Sequence, residues 1–247
     1  MTIEFLFLAD LILLLRLRLL LADGPVHAYR WVVKAVVELL ALTLFTPQVL
    51  LLWAAIAIVL ANVAAALVET RARDRSGPRL LLGLLQLVAV SVVFSRAGGV
   101  HFRSELAAGG EWLASWSAMG AEVWRLLTGH GLRILLGLLL AANEANLLVR
   151  WLLGRLQIKP GAGATADGGI DATEFNRGRI IGLLERVLIY AFVLSGQYGA
   201  IGFTLAAKGF TRFKELENRG FAEYVLIGTL LSSSLAMIAG VWVRSAL

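Results

Sequence analysis

The sequence predicts an all-α protein, a bundle of transmembrane helices with about six or seven spans and one shorter re-entrant or interfacial helix. Of the 247 residues, 59% are hydrophobic, whereas a soluble domain of this size holds roughly 45–50%. Apolar stretches such as 49–69 and 132–153 approach the ~20 residues that cross a bilayer. A soluble helical bundle would need a polar face on each helix, and residues 49–68 offer only Asn62.

The predicted spans follow the apolar segments in order. Seven spanning segments are expected at 3–22, 31–46, 49–69, 79–95, 131–152, 179–195 and 222–243. Tryptophans near segment ends, such as Trp31 and Trp151, fit the headgroup region. A shorter apolar piece at 198–207 is expected either to re-enter the membrane or to lie along its surface.

A linker is predicted to divide the chain. Residues 159–174 are rich in Gly and Ala and lack periodicity, which is typical of a flexible linker. Before it, residues 1–158 hold the first five spans. They also hold a stretch near 104–128 that predicts an amphipathic helix, either in the membrane interface or capping the bundle. After it, 175–247 forms a C-terminal module with a predicted helix break at Gly196, because a continuous helix from 179 to 217 would extend ~58 Å.

The charge distribution predicts the orientation. The net charge is +6, and the loop 69–79 carries four arginines against two acids. Lys and Arg crowd cytoplasmic loops of membrane proteins, so this loop should face the cytoplasm and the N-terminus the outside. The same rule explains the basic balance without a nucleic-acid partner. A multi-pass protein of the bacterial inner membrane is the expected localisation.

Ionisable residues at membrane depth are the candidate functional residues. Glu185 and Arg186 lie within the sixth predicted span, where they either form structural pairs, for example Glu185 with Lys208, or handle a proton or ion. A helix over 197–215 would carry a polar stripe that must avoid acyl chains. The predicted polar site comprises Glu185, Arg186, Gln197, Lys208, Arg212, Glu215 and Glu223.

Two further polar groups occur in predicted spans. Asn143, Asn146 and Arg150 share a face of the fifth span, which predicts an interhelical hydrogen-bond seam. Asp10 is deep enough in the first span to need a partner.

Small residues predict close helix packing. The final span carries one at every fourth position, which lets a second backbone approach. The predicted packing residues are Gly178, Gly182, Gly199, Gly202, Gly228, Ser232, Ala236 and Gly240. The helix that they contact belongs either to this chain, to a second copy or to a membrane-protein partner.

No familiar catalytic motif occurs, so neither a cofactor nor a metal is predicted. The three histidines, His27, His101 and His130, are scattered, and the absence of cysteine excludes disulfides and thiolate ligands. An enzyme acting on lipid or a polyprenyl carrier would lack a recognisable acid–base pair. The predicted function is therefore transport or sensing of a small ion or solute through the polar site. The alternative is a non-transporting scaffold subunit, with membrane lipids as partners in either case.

Residues 178–232 resemble the C-terminal part of an uncharacterised family of bacterial polytopic membrane proteins, classed as a domain of unknown function. The matching residues are Gly178, Gly182, Glu185-Arg186, Gly196-Gln197, Ala200-Ile201-Gly202, Lys208, Arg212-Phe213, Glu215-Leu216, Glu223-Tyr224 and Gly228-Thr229-Leu230, with Asn146 and Arg150 upstream. The family carries histidine and aspartate on its first spans. Here only Asp10 matches, so the resemblance implies no metal- or proton-linked role there, and it supplies no activity.

Overall fold

The computed structural model describes residues 1–20, 24–72, 75–127, 129–157, 172–211 and 219–247. Within these ranges the chain is helical, with no strand and an isolated antiparallel bridge between Phe45 and Phe102. The predicted all-helical class is confirmed. The chain forms two compact units, Met1–Leu139 and Leu140–Leu247.

The first unit is built around its first helix. Its helices are α1 (Ile3–Arg16), α2 (Ala28–Leu42), α3 (Val49–Arg71), α4 (Ser76–Val93), α5 (Ser104–Trp116), α6 (Ala118–Leu127) and α7 (Gly129–Leu139). A 3₁₀ turn at Leu17–Leu20 continues α1. Helix α1 packs against α2, α4 and α7, and its Leu6, Leu8 and Ile12 are fully buried. An almost wholly apolar helix takes the centre because no face of it prefers water.

Polar and aromatic contacts close the two ends of α1–α4. At the aromatic end, the Phe45 ring lies 4.8 Å from those of Phe94 and Phe102, and Thr2 donates to the Phe94 carbonyl at 2.7 Å. These contacts gather the start of α1 and the end of α4 at one end of the unit.

The opposite, arginine end is held by an ion pair between the end of α3 and the start of α4. Arg79 donates two hydrogen bonds of 2.8 Å to the two carboxylate oxygens of Glu69. The Val26 amide also donates to Glu69, at 3.0 Å, and Arg16 donates to the Arg79 carbonyl at 2.8 Å. Helices α1 to α4 therefore alternate in direction between the aromatic end and the arginine end.

The stretch predicted as one interfacial helix near 104–128 is two helices. Ser117 has extended backbone (φ −162°, ψ 158°), and its hydroxyl accepts a 2.9 Å hydrogen bond from the Gly120 amide. This N-cap starts α6 and separates it from α5. The two helices pack on each other, and a Cβ at Gly110 would meet the Trp124 ring. The apolar stripe of the sequence is thus divided between two helices.

The second unit begins inside the predicted fifth span. Its parts are a π-helical turn (Leu140–Glu144), α8 (Ala145–Arg155), α9 (Ala172–Ser195), α10 (Tyr198–Thr211) and α11 (Arg219–Ala246). The compact boundary at Leu139–Leu140 differs from the predicted boundary at 158 because the π-helical turn packs on α9 and α11, and α8 on α11. The predicted linker lies mostly outside the described residues, and α9 already begins at Ala172.

Specific contacts fix the direction of each helix in this unit. Arg186 of α9 contacts Ser232 of α11, and further along both helices Arg244 contacts the Val193 carbonyl. Helices α9 and α11 are therefore parallel. The chain must return between them, and Lys208 of α10 indeed lies beside Glu185, ten positions before the end of α9.

A glycine turn separates α9 from α10. Gly196 has φ +72°, a conformation that disfavours a side chain. Its amide donates to the Val193 carbonyl at 3.1 Å, and the Gln197 amide donates to the Phe192 carbonyl at 2.8 Å. This is the hydrogen-bond pattern of a Schellman C-cap, which ends a helix and reverses the chain.

Four helices of the described residues are long and apolar enough to cross a membrane, which identifies a membrane protein. They are Val49–Arg71, Ser76–Val93, Gly129–Arg155 and Ala222–Ala246. Of the other three predicted spans, α1 and α2 have 14 and 15 residues, and α9 carries Arg179, Glu185 and Arg186. The surface agrees with this assignment, since Leu52, Trp53 and Leu60 of α3 are each more than 60% exposed.

Candidate functional site

The candidate site of the second unit is centred on two adjacent charged residues of α9. Glu185 and Arg186 are 5% and 4% exposed. Neighbouring side chains on a helix point about 100° apart, so the two residues face different helices. Glu185 faces α10, and Arg186 faces α8 and α11.

Glu185 forms an ion pair with Lys208 of α10. The Lys208 side chain is 19% exposed, and the carboxylate is almost completely buried. Charges removed from water need partners. This pair therefore holds α10 against α9 at one defined position along both helices.

Arg186 is held by three oxygens from neighbouring elements. Its guanidinium donates to the Ser232 hydroxyl at 3.1 Å, the Ala142 carbonyl at 3.3 Å and the Asn146 side-chain oxygen at 3.4 Å. Ala142 belongs to the π-helical turn, and such turns are frequent at functional sites. Arg186 thereby links α9 to α11 and to the start of α8.

Several polar atoms of this region are buried without a hydrogen-bond partner among the described residues. They are Asn143 Oδ1, Asn146 Nδ2, Glu185 Oε1, Arg186 Nε and Ser233 Oγ. Both donors and acceptors occur in this set. Buried polar groups of native proteins nearly always have a partner, so these atoms are donors and acceptors available to a bound water molecule.

The structure brings together only part of the predicted polar site. Glu185, Arg186 and Lys208 lie in it, as described above. Gln197 is exposed at the turn after α9, and Glu223 is exposed and pairs with Arg219 at 3.0 Å. Arg212 and Glu215 lie outside the described residues.

The predicted seam of the fifth span joins the same site. Asn146 accepts from Arg186, and Asn143 donates to Glu144 at 2.9 Å. Arg150, the third predicted member, is half-buried on α8. The fold therefore places Asn146, which was predicted in the seam, in the same site as Arg186.

The small residues of α11 face α9 and α8. Ala236 is fully buried, and a Cβ at Gly240 would lie 2.8 Å from Val193 Cβ. Ser232 lies in the helix contact and also accepts a hydrogen bond from Arg186. Gly228 faces Leu153 of α8.

The predicted packing residues of α9 and α10 have looser surroundings. Gly182 lies beside the Arg186 side chain, and Gly178 is half-buried. Gly199 and Gly202 are exposed, with open space around an added Cβ.

Sequence reasoning missed Ser233 and Arg244. Ser233 is 2% exposed. Arg244 donates to the Val193 carbonyl at 3.2 Å and to the Tyr198 hydroxyl at 3.0 Å, so it caps the end of α9. Arg244 lies one turn after Gly240 on the face of α11 that packs on α9, and this spacing could have predicted its contact with the end of α9.

Comparison with known proteins returned no family model, no curated protein and no solved structure that matches this chain. Within the described residues, no three His, Cys, Asp or Glu side chains lie close enough to hold a metal ion.

Proposed function

We propose that this protein moves or senses a small ion or polar solute across the bacterial inner membrane, through the polar site of its second unit. The observation that carries the proposal is the buried Glu185–Lys208 pair beside buried polar atoms that lack partners among the described residues. Ionisable groups inside a membrane are costly and typically mark substrate or ion pathways.

The proposed membrane arrangement places this site at depth. One end of the unit carries four arginines near helix ends, Arg150 and Arg155 of α8, Arg179 of α9 and Arg219 of α11. This end therefore faces the cytoplasm. The turn at Gly196 then faces outside. Glu185 lies ten residues from the end of α9, about 15 Å below that turn and near the centre of a ~30 Å hydrocarbon core.

Helix α10 is the proposed short membrane arm, and it returns the chain from the outer turn towards the cytoplasmic end, where α11 begins. It has 14 residues, about 21 Å, which is too short to cross the core alone. Broken helices at membrane depth are tolerated where they are buried in protein or line a cavity, and transporters use them in that way. Lys208, near the end of this arm, would be positioned by Glu185.

We further propose that three more helices enter the membrane. Helix α1 with its 3₁₀ continuation reaches about 29 Å, enough to cross the core. With α2 and α9 added to the four long apolar helices, the proposed protein is a multi-pass protein with seven membrane segments, of which α2, at 15 residues, is shorter than the core. The first unit then places its arginine end in the cytoplasm and its N-terminus outside.

Reconstitution into liposomes tests the proposed function. Under gradients of H⁺, Na⁺, K⁺ or chloride, we expect flux above that of protein-free vesicles for at least one ion. Glu185→Gln should reduce it about tenfold or more, because it removes a charged hydrogen bond worth ~1.5–3 kcal/mol. The matched control Glu223→Gln changes an exposed carboxylate of the same unit and should keep the flux. Protein-free leak rates in every gradient, or equal flux in Glu185→Gln, would contradict the proposal.

A scaffold role is the second candidate, favoured by one observation. The exposed, uncovered Gly199 and Gly202 of α10 would let another helix approach closely. The same experiment separates the two functions, because a scaffold gives no flux in either variant or in the wild-type protein.

A further inference from the structure

The first unit contains a buried polar network that the sequence analysis did not identify. It joins Lys34 and Glu38 of α2 to Asn62 of α3 and Gln86 of α4. The four residues are 5%, 0%, 3% and 3% exposed. All four side chains are thus buried between α2, α3 and α4.

The Lys34 ammonium lies in a cradle of three oxygens. Its Nζ is 2.5 Å from Glu38 Oε1, 3.1 Å from Asn62 Oδ1 and 3.0 Å from Gln86 Oε1. It donates hydrogen bonds to the two amide oxygens and forms an ion pair with the carboxylate oxygen. We call these three atoms the oxygen cradle.

The remaining atoms of the network fix the direction of the cradle. Both amide groups donate to Glu38 Oε2, Asn62 at 2.8 Å and Gln86 at 3.0 Å. Asn62 also donates to the Ile58 carbonyl at 2.9 Å. With their NH₂ groups held in this way, both amides turn their oxygens towards Lys34.

The network lies at the middle of the spanning helices. Asn62 is nine residues before the end of α3, and Gln86 ten residues after the start of α4. At 1.5 Å per residue these distances are about 14 Å and 15 Å, half the thickness of the hydrocarbon core. A packed apolar core is often as stable as a buried ion pair, so stability alone gives no reason for four polar side chains at this depth.

The oxygen cradle has the chemistry of a monovalent-cation site. It presents one carboxylate and two amide oxygens, which are hard ligands with a total charge of −1. One monovalent cation neutralises it. A divalent cation would leave an uncompensated charge at membrane depth and normally needs six or more oxygens. The Trp31 ring, 5.9 Å from Lys34 Nζ, adds a cation–π contact.

We propose that Glu38, Asn62 and Gln86 form a binding site for a free monovalent cation, Na⁺, K⁺ or NH₄⁺, and that the Lys34 ammonium occupies it in this structure. The ammonium stands in for the free ion, with the same charge and the same oxygen ligands. Since the cradle neutralises one positive charge, the free cation and the charged Lys34 exclude each other. The site thus holds either its tethered cation or a free one.

The variant Lys34→Met tests the site directly, because it removes the tethered cation and leaves the oxygens. We expect the Tm of the purified variant to rise saturably with Na⁺, K⁺ or NH₄⁺, by about 5–10 °C at 100 times the Kd. Choline chloride at equal ionic strength should have no such effect, because choline is too large for the cradle. The chain's seven tryptophans report the unfolding.

The double variant Lys34→Met/Glu38→Gln is the matched control. It lacks the cradle's charge and should show equal Tm in all four chloride salts. Equal cation stabilisation of the single and double variants, or no dependence of the single variant on the cation, overturns the proposal.

A measurement on the wild-type protein decides the question even if Lys34→Met does not fold. Reductive methylation of Lys34, followed by mass spectrometry, reports how often its amine leaves the cradle. We expect the rate to increase with one of the free cations and to stay constant in choline at equal ionic strength. A rate that is the same in every salt shows that no free cation displaces Lys34, and the proposal is then wrong.

Discussion

At the scale of single residues, the two adjacent buried charges of α9 have defined roles. Glu185 attaches α10 through Lys208. Arg186 joins the π-helical turn and α11 through the Ala142 carbonyl and the Ser232 hydroxyl. Adjacent residues of opposite charge on α9 thus stabilise different helix contacts and have different partners.

The Glu185–Lys208 pair should contribute measurably to stability. Glu185→Gln leaves the half-buried Lys208 ammonium without its counter-charge, and we expect the free energy of unfolding to fall by about 2 kcal/mol. Unfolding by SDS in mixed micelles, followed by tryptophan fluorescence, measures the change. Glu223→Gln, which disrupts an exposed pair, should stay within about 0.5 kcal/mol of the wild type.

Adding Lys208→Met to Glu185→Gln checks the assignment. The double variant should be less destabilised than the sum of the two single variants, because they share one interaction. Additive losses would show that the two residues are not coupled.

At the scale of secondary-structure elements, the close contact between α9 and α11 depends on a glycine of α11, which has no side chain. A Cβ at Gly240 would lie 2.8 Å from both Val193 Cβ and Cγ1. The helices approach this closely because residue 240 has no side chain, as is common in membrane bundles.

Enlarging Gly240 should separate these helices. We expect Gly240→Val to lower the free energy of unfolding by about 1–3 kcal/mol through overpacking. Val193→Ala should restore part of the loss in the double variant, since it removes the atoms in conflict. Gly202→Val is the matched control, because residue 202 is open, and it should change stability by no more than about 0.5 kcal/mol. Equal losses at both glycines would be inconsistent with the packing described.

Sequence patterns predict the helices themselves more reliably than they predict the contacts between the helices. The apolar runs of α3 and α4 directly predict helices long enough to cross a membrane. Gly196 predicts the chain reversal after α9. Within 104–128, however, the helical periodicity continues through Ser117, where one N-cap hydrogen bond interrupts the helix. A capping interaction of this size is too local for a periodicity argument to detect.

The network around Lys34 shows a second limit of sequence reasoning. Asn62 stands out as the only polar residue of 49–68, and Lys34 and Glu38 are opposite charges four positions apart in an apolar span. Their convergence with Gln86 depends on the rotation of three helices about their axes, which hydropathy does not determine. The parallel course of α9 and α11 likewise follows from contacts between residues distant in sequence, such as Arg186 and Ser232.

At the scale of the whole molecule, each unit alternates its helices between two ends, one of which is richer in arginine. In the first unit the arginine end holds Arg16, Arg75 and Arg79, and the other end is closed by phenylalanines. In the second unit the end of α8 and the start of α9 carry the arginines. Because Lys and Arg favour the cytoplasmic side, these ends predict the orientation of each unit.

Cysteine labelling tests this orientation, since the chain contains no cysteine. Gln48→Cys and Thr70→Cys lie near the two ends of α3, and Gln157→Cys and Gln197→Cys lie at opposite ends of the second unit. We expect an impermeant maleimide to label residues 48 and 197 in right-side-out spheroplasts, and residues 70 and 157 only in inverted vesicles. Labelling of both members of a pair from the same side would contradict the proposed topology.

During synthesis, Arg186 leaves the ribosome 46 residues ahead of the Ser232 hydroxyl that it binds, and Glu185 leaves 23 residues ahead of Lys208. At ~5–20 residues per second, about 2–9 s pass before Ser232 has been made. A carboxylate and a guanidinium cannot be released into acyl chains without partners for that time. In the proposed membrane arrangement, α9 therefore stays beside the insertion machinery until α11 emerges, and the last three helices enter the bilayer as one group.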